Sequence, residues 1–173
     1  IDIVQNEVDI AIRPYMDKTD DTHHFVQEHL FTLKAGLYAS PAYLKEFGLP
    51  KLPQDLDNHR LLTRSRAEDN PYSNVSWILT VGRGDQEPRK PFYTSNSVES
   101  LFESAKKGMG ITIGYKEMQN VNDSDLIQIM PKIDSPSYMD YLIYPKHLEE
   151  VEKIKILKEY LLKALQKFRV SKN

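Results

Sequence analysis

The spacing of apolar positions changes several times along the chain, and each change marks an element. Val8, Ile10 and Ile12, with Ala11 among them, make a short and mostly apolar run that reads as a buried strand, and the polar stretch PYMDKTDD after it reads as a turn. A second strand is predicted over Phe31–Ala39. At Ser40 the period switches. Ser40 can accept a hydrogen bond from an orphan amide of a first helical turn, Pro41 sits where its missing N–H costs nothing, and Gly48 suits a left-handed cap, so a helix is predicted over 41–47. Pro50 and Pro53 keep the next stretch irregular.

Further on, Trp77–Val81 and Phe92–Thr94 read as two strands joined by the turn-rich GRGDQEPRKP. Val98, Leu101, Phe102 and Ala105 recur at helical spacing, and Asn96 followed three residues later by Glu99 has the form of a capping box. A helix is therefore predicted from near Ser97 to Gly108, after which GMGITIG turns tightly into another strand. Leu126–Met130 and Tyr141–Tyr144 supply two more strands. The last helix puts Val151, Ile154, Leu157, Leu161, Leu165 and Phe168 on one face, with glutamates early and lysines late as the helix dipole favours. Strands alternating with helices predict an α/β fold with a largely parallel sheet.

Composition narrows the function classes. With 173 residues and 40% hydrophobic content the chain can bury an ordinary core, as one domain or two small lobes. Lys and Arg total 23 against 25 Asp and Glu, so the net charge of −2 offers no basic field to hold a phosphate backbone, and this segment is not expected to bind DNA by itself. The absence of cysteine removes disulfides, thiolate zinc sites and thiol nucleophiles, and fits a reducing compartment. No apolar run approaches the ~20 residues that span a bilayer. The opening IDIVQNEVDIAIR has no basic region followed by an apolar one, so it is no signal peptide; it reads like the middle of a domain.

Candidate chemistry is sparse. His23, His24 and His29 lie near Asp20 and Asp21, but adjacent histidines in a strand point to opposite faces, and a solvated turn is favoured over a metal site. The glycines of GMGITIG follow a helix and precede a strand, the reverse of the order a dinucleotide fingerprint needs. The Arg83-Gly84-Asp85 triplet sits in turn chemistry and reads as a polar loop. No nucleophile elbow, zinc-protease helix or Walker lysine occurs, and an enzyme has no positive support. In YTSNSVESL, Thr94, Ser95, Asn96 and Ser97 gather hydroxyls, an amide and backbone N–H groups at one helix start. They either cap the helix or hold a small anion, and the charge of Glu99 favours the cap.

The stretch ASPAYLKEFGLPKLPQDLDNHRLL resembles the effector-binding domain of the LysR-type transcriptional regulators, whose consensus runs through an A-S-P-x-Y-L helix start, a G-x-P loop and a D-L-x-x-H segment to a tryptophan strand. EVDIAIR before it, and Trp77, NSVESL, GMGITIG, DLIQIMP and YLIYP with its long helix after it, follow the same family pattern in order over nearly the whole chain. The resemblance implies a two-lobed, periplasmic-binding-protein-like (type II) α/β fold whose first lobe is incomplete here: residues 1–38 with 138–173 form part of the first lobe, and residues 39–137 form the second. Ligands of such folds lie between the lobes, at strand ends and helix N-termini. Thr94, Ser95, Asn96, Ser97 and Val98 are then expected on one wall of the effector cleft, with Arg13 and Pro14 on the other; Arg13 would suit an anionic effector.

The family further implies a non-enzymatic, cytoplasmic regulator that senses a small molecule, forms a homodimer or homotetramer, needs no cofactor and meets DNA only through an upstream winged helix-turn-helix. A solute-binding protein of a transport system shares the architecture and is the alternative. Two departures stand out. Tyr115, preceded by Gly114, replaces the proline that many relatives have after the G-x-G-I strand, and the usual glycine is missing after Arg13, which affects Tyr15. In the resembled fold a strand, a helix and a second strand precede the segment matching IDIVQNEVDIAIR; the expectation is that a longer parent or another chain supplies them, because the terminal helix would otherwise be under-covered.

Overall fold

A computed structural model of the protein describes residues 8–14, 23–65, 76–117 and 125–165. Within them lie strands β1 (Ala11–Pro14), β2 (Phe25–Ala39), β3 (Leu61–Arg64), β4 (Tyr93–Ser95), β5 (Ile111–Tyr115), β6 (Ile127–Ile129) and β7 (Ser137–Pro145). The helices are α1 (Pro41–Phe47), α2 (Val98–Lys106) and α3 (Glu152–Ala164). The chain divides into two compact units, one of Ile1–Leu33 with Ser137–Asn173 and one of Lys34–Pro136, so it passes between them within β2 and just before β7.

In the Lys34–Pro136 unit the end of β2 pairs antiparallel with β5, through Gly36 opposite Gly114 and Tyr38 opposite Thr112, and with β6, through Tyr38 opposite Gln128. β3 runs parallel to both β5 and β4. The sheet is therefore mixed rather than largely parallel. A crossover helix, α2, joins β4 to β5 and sets the parallel part, whereas no helix constrains the direction of β2 against its neighbours. Leu101, Phe102 and Ala105 of α2 pack with Tyr38, Leu62 and Leu126 into one buried cluster, the face that their helical spacing predicts. Gly114 is required here: a Cβ on it would lie 2.8 Å from both the Phe102 and Tyr38 rings.

Two local expectations change. Trp77–Leu79 forms a 3-10 turn and not a strand, closed by hydrogen bonds from the amides of Thr80 and Val81 to the Trp77 carbonyl. All three side chains are buried, which a short turn can achieve and a strand with one wet face cannot. The turn is tied down by Arg89, whose Nε donates to Asp57 Oδ1 at 2.5 Å while its remaining nitrogens donate to the carbonyls of Val81 (2.8 Å), Pro53 (2.9 Å) and Ile78 (3.4 Å). Arg83 of the polar loop reaches the same carboxylate at 2.9 Å. Helix α2 is capped by Ser97 and not by Asn96: the Ser97 hydroxyl accepts from the Ser100 amide at 3.2 Å.

In the other unit β7 lies between β1 and the first half of β2, with Arg13 opposite Tyr141 and Pro14 opposite Asp140. The first strand begins at Ala11, later than its apolar run, because pairing with β7 starts there; Ile10 instead packs its side chain against the cluster of Leu142, Tyr144 and Ile154. Val151 and Leu161 join that cluster, while Leu157 is 37% exposed; Phe168 lies outside the described residues. Glu28 accepts from the Tyr144 hydroxyl at 3.1 Å and from Lys158 Nζ, which fixes α3 to the sheet.

Candidate functional site

The β4–α2 loop carries five of the seven expected contact residues. Thr94 and Ser95 end β4, Asn96 and Ser97 form the turn, and Val98 opens α2. Parallel pairing with β3 places Thr94 beside Thr63 and Ser95 beside Arg64, and the Ser65 amide donates to the Ser95 carbonyl at 3.1 Å. Both strands thus present their carboxyl ends here, the usual ligand end of an open α/β sheet.

The loop's donors are largely engaged within the loop. The Ser97 amide donates to Ser95 Oγ at 3.1 Å, and the Ser97 hydroxyl donates to Glu99 Oε2 at 3.1 Å while accepting from the Ser100 amide. Tyr93 and Ser100 share a hydroxyl–hydroxyl bond of 3.0 Å that braces β4 against α2. The Glu99 carboxyl is held below its ordinary range, first by its own backbone N–H and then by the Ser97 hydroxyl. It remains ionised at neutral pH and sits where the positive end of the helix dipole favours it. Thr94 and Asn96 are exposed, and theirs are the side chains of the loop best placed to meet a ligand.

Arg13 and Pro14 end β1 in the other unit. Sequence reasoning did not single out Thr63, Arg64 and Ser65, because β3 is four residues long and its pairing partners lie 30 to 50 residues away. Thr63 has one distinguishing mark: its side chain is buried and its hydroxyl has no hydrogen-bond partner among the described residues. Of the histidine cluster, His29 Nε2 bonds Thr32 Oγ1 at 2.9 Å and its ring meets Tyr141 edge-on; Asp20 and Asp21 lie outside the described residues. Among the described residues no group of three or more metal-ligating side chains is gathered, and no helix is long and apolar enough to cross a membrane.

A mixed α/β architecture in two units, with a serine-rich turn at the carboxyl ends of parallel strands, defines the class as a periplasmic-binding-protein-like regulatory domain. Residues 1–166 match the LysR substrate binding domain, and the chain belongs to that family, the regulatory domain of LysR-type transcriptional regulators. It is 27% identical over 154 residues to an HTH-type transcriptional regulator of Haemophilus influenzae, a match that covers 86% of this chain and 51% of that protein. It is 30% identical over 111 residues to the HTH-type transcriptional regulator CrgA of Neisseria meningitidis, covering 64% of this chain and 35% of CrgA. The chain therefore spans about half the length of the first of these relatives and about a third of the second.

Among solved structures, the regulatory domain of CrgA from Neisseria meningitidis superposes with a TM-score of 0.73 at 21% identity, covering 94% of this chain and 78% of that one. The full-length Vibrio cholerae virulence activator AphB superposes with a TM-score of 0.67 at 18% identity, covering 95% of this chain and 54% of that one. At these identities the superpositions establish the fold.

Proposed function

We propose that this chain is the small-molecule-sensing part of a LysR-type transcriptional regulator, working in a parent protein that binds DNA through a winged helix-turn-helix outside these residues. The match of residues 1–166 to the family carries this reading, and the names of the curated relatives as HTH-type regulators favour it over a transport-type solute-binding protein. The two compact units serve as regulatory subdomains I and II. Thr94, Ser95, Asn96, Ser97 and Val98 contact the effector from one, and Arg13 and Pro14 from the other. The effector favours one arrangement of subdomains and subunits over another, and its differential affinity for the two shifts promoter binding. The protein acts in the cytoplasm as a homodimer or homotetramer, without a cofactor and without catalysis. Mass spectrometry of small molecules that copurify with the protein identifies the effector. Calorimetry with that molecule then tests the contacts: affinity unchanged in both the Ser97→Ala and the Thr94→Ala proteins would refute the assignment.

A further inference from the structure

At the opposite end of β3 from the candidate site, one arginine is fixed with unusual thoroughness. Arg60 precedes the strand, on the order of 13 Å of extended chain from Arg64. Its amide donates to the Tyr43 hydroxyl at 2.9 Å and its carbonyl accepts from the Ile111 amide at 2.8 Å. Gly110 permits that second bond, since a Cβ there would lie 2.3 Å from the Arg60 carbonyl oxygen. The side chain is held as firmly. Its guanidinium carbon lies 4.6 Å from the centroid of Phe47 and 4.8 Å from that of Phe92, and Phe47 is itself stacked on Tyr43 at 4.6 Å.

Two aromatic faces restrain the guanidinium plane but claim none of its N–H donors, which point outward from the edge of the plane. Among the described residues the Arg60 guanidinium takes part in no hydrogen bond and no ion pair; Glu46 on α1, the acid closest in influence to Tyr43, makes none with it. Phe92 is 54% exposed, an apolar surface beside an uncompensated cation. A fixed fork of five donors matches a carboxylate bidentately, and little side-chain freedom remains to be lost when one arrives. The overall charge of −2 argues against a phosphate backbone as the source of the anion and for an acidic protein segment.

We propose that the Phe47–Arg60–Phe92 stack is a docking point for a partner protein, receiving an Asp or Glu carboxylate on Arg60 and an adjacent apolar side chain on Phe92. This surface is separate from the effector site and does not depend on that assignment. The test is an NMR titration of the 173-residue protein with an acetylated, amidated peptide of alternating leucine and glutamate, reading the Arg60 Nε–Hε resonance. The expected result is a saturable shift that the glutamine counterpart does not produce, with affinity roughly tenfold weaker in Arg60→Lys, which keeps the charge and loses the fork, and several-fold weaker in Phe92→Ala. Thermal melting of both variants confirms that they fold. Equal binding of the glutamate and glutamine peptides, unchanged affinity in Arg60→Lys, or no shift at millimolar peptide overturns the proposal. A single-stranded oligonucleotide that shifts the resonance as strongly as the peptide overturns the assignment to a protein. Self-association abolished by Arg60→Lys moves the carboxylate onto a second copy of this chain and overturns the separate partner.

Discussion

Replacing Arg89 by alanine should cost more stability than any other single change in the 53–90 region. The side chain is only 5% exposed, and its stem and head fill the space between the Trp77–Leu79 turn and the Pro53–Asn58 turn. Its loss leaves the Val81 and Pro53 carbonyls without their donors; each such bond is worth about 0.5–1.5 kcal/mol, and more where the acceptor stays buried and unpaired. The Ile78 contact at 3.4 Å adds little. Lost packing of the aliphatic stem adds to this, and the total of about 3–5 kcal/mol matches what breaking a buried charged contact costs elsewhere. For a protein of this length that corresponds to a fall in Tm of roughly 6–20 °C.

Asp57, by contrast, is 45% exposed, and water can replace what Arg89 and Arg83 give it. Urea denaturation of the parent, Arg89→Ala, Arg89→Lys and Asp57→Asn proteins separates the contributions. Arg89→Lys, with one compact ammonium, should recover only part of the loss, and Asp57→Asn should lose distinctly less than Arg89→Ala. The reasoning fails if Arg89→Ala costs under ~1 kcal/mol, or if Asp57→Asn costs as much, since the ion pair and not the carbonyl clamp would then be the dominant tie.

Other outcomes follow from particular contacts. Gly110→Ala drives a methyl group into the Arg60 carbonyl and should lower the urea midpoint by the equivalent of about 3 kcal/mol, at the upper end of overpacking costs. Ser97→Ala should remove about 1 kcal/mol of stability through loss of the α2 cap and return the Glu99 carboxyl toward its ordinary range, which NMR titration of its side chain would read. His59 Nδ1 accepts from the Tyr43 hydroxyl at 3.1 Å, and burial lowers its pKa, against a smaller opposing pull from Asp55. The unfolded chain therefore binds the proton first, so this contribution is intact above the unperturbed pKa of about 6.5 and is lost as the pH falls below it. Tm should drop between pH 7 and 5, and the drop should shrink in His59→Asn; an undiminished drop would remove His59 as its source.

The elements that local chemistry dictates were legible in the chain. Ser40 caps α1 by accepting from the Tyr43 amide at 3.2 Å, and Gly48 closes it at φ 86°, as the residues alone imply. At α2 two adjacent polar residues competed for one cap, and backbone conformation, φ −95° and ψ 122° at Ser97, decided it one position later than the Asn96–Glu99 spacing suggests. What stayed hidden depends on distant partners. Leu61 and Leu62 become a strand only because β4 and β5 flank them, and nothing within GRGDQEPRKP distinguishes Arg89, which is buried, from Lys90, which is exposed. The 94–98 turn could be read as a helix start from its residues, but its candidate role came from the family pattern, since capping and ligand binding call for the same side chains.

The internal hydrogen bonding of that turn makes ligand binding there an exchange reaction. Glu99 occupies the positive end of α2 with its own carboxylate, bonded to its own amide and to Ser97. An incoming anion would gain only the difference between its interactions and those of the carboxylate it evicts, after the evicted group is rehydrated. A neutral hydrogen-bonding group that reaches Thr94 and Asn96 evicts nothing, and an ammonium group gains Glu99 as a counter-ion. The resting protein thus discriminates by charge before any contact from the other unit is counted, and the discrimination weakens only at a pH low enough to protonate a carboxyl already held below its ordinary range.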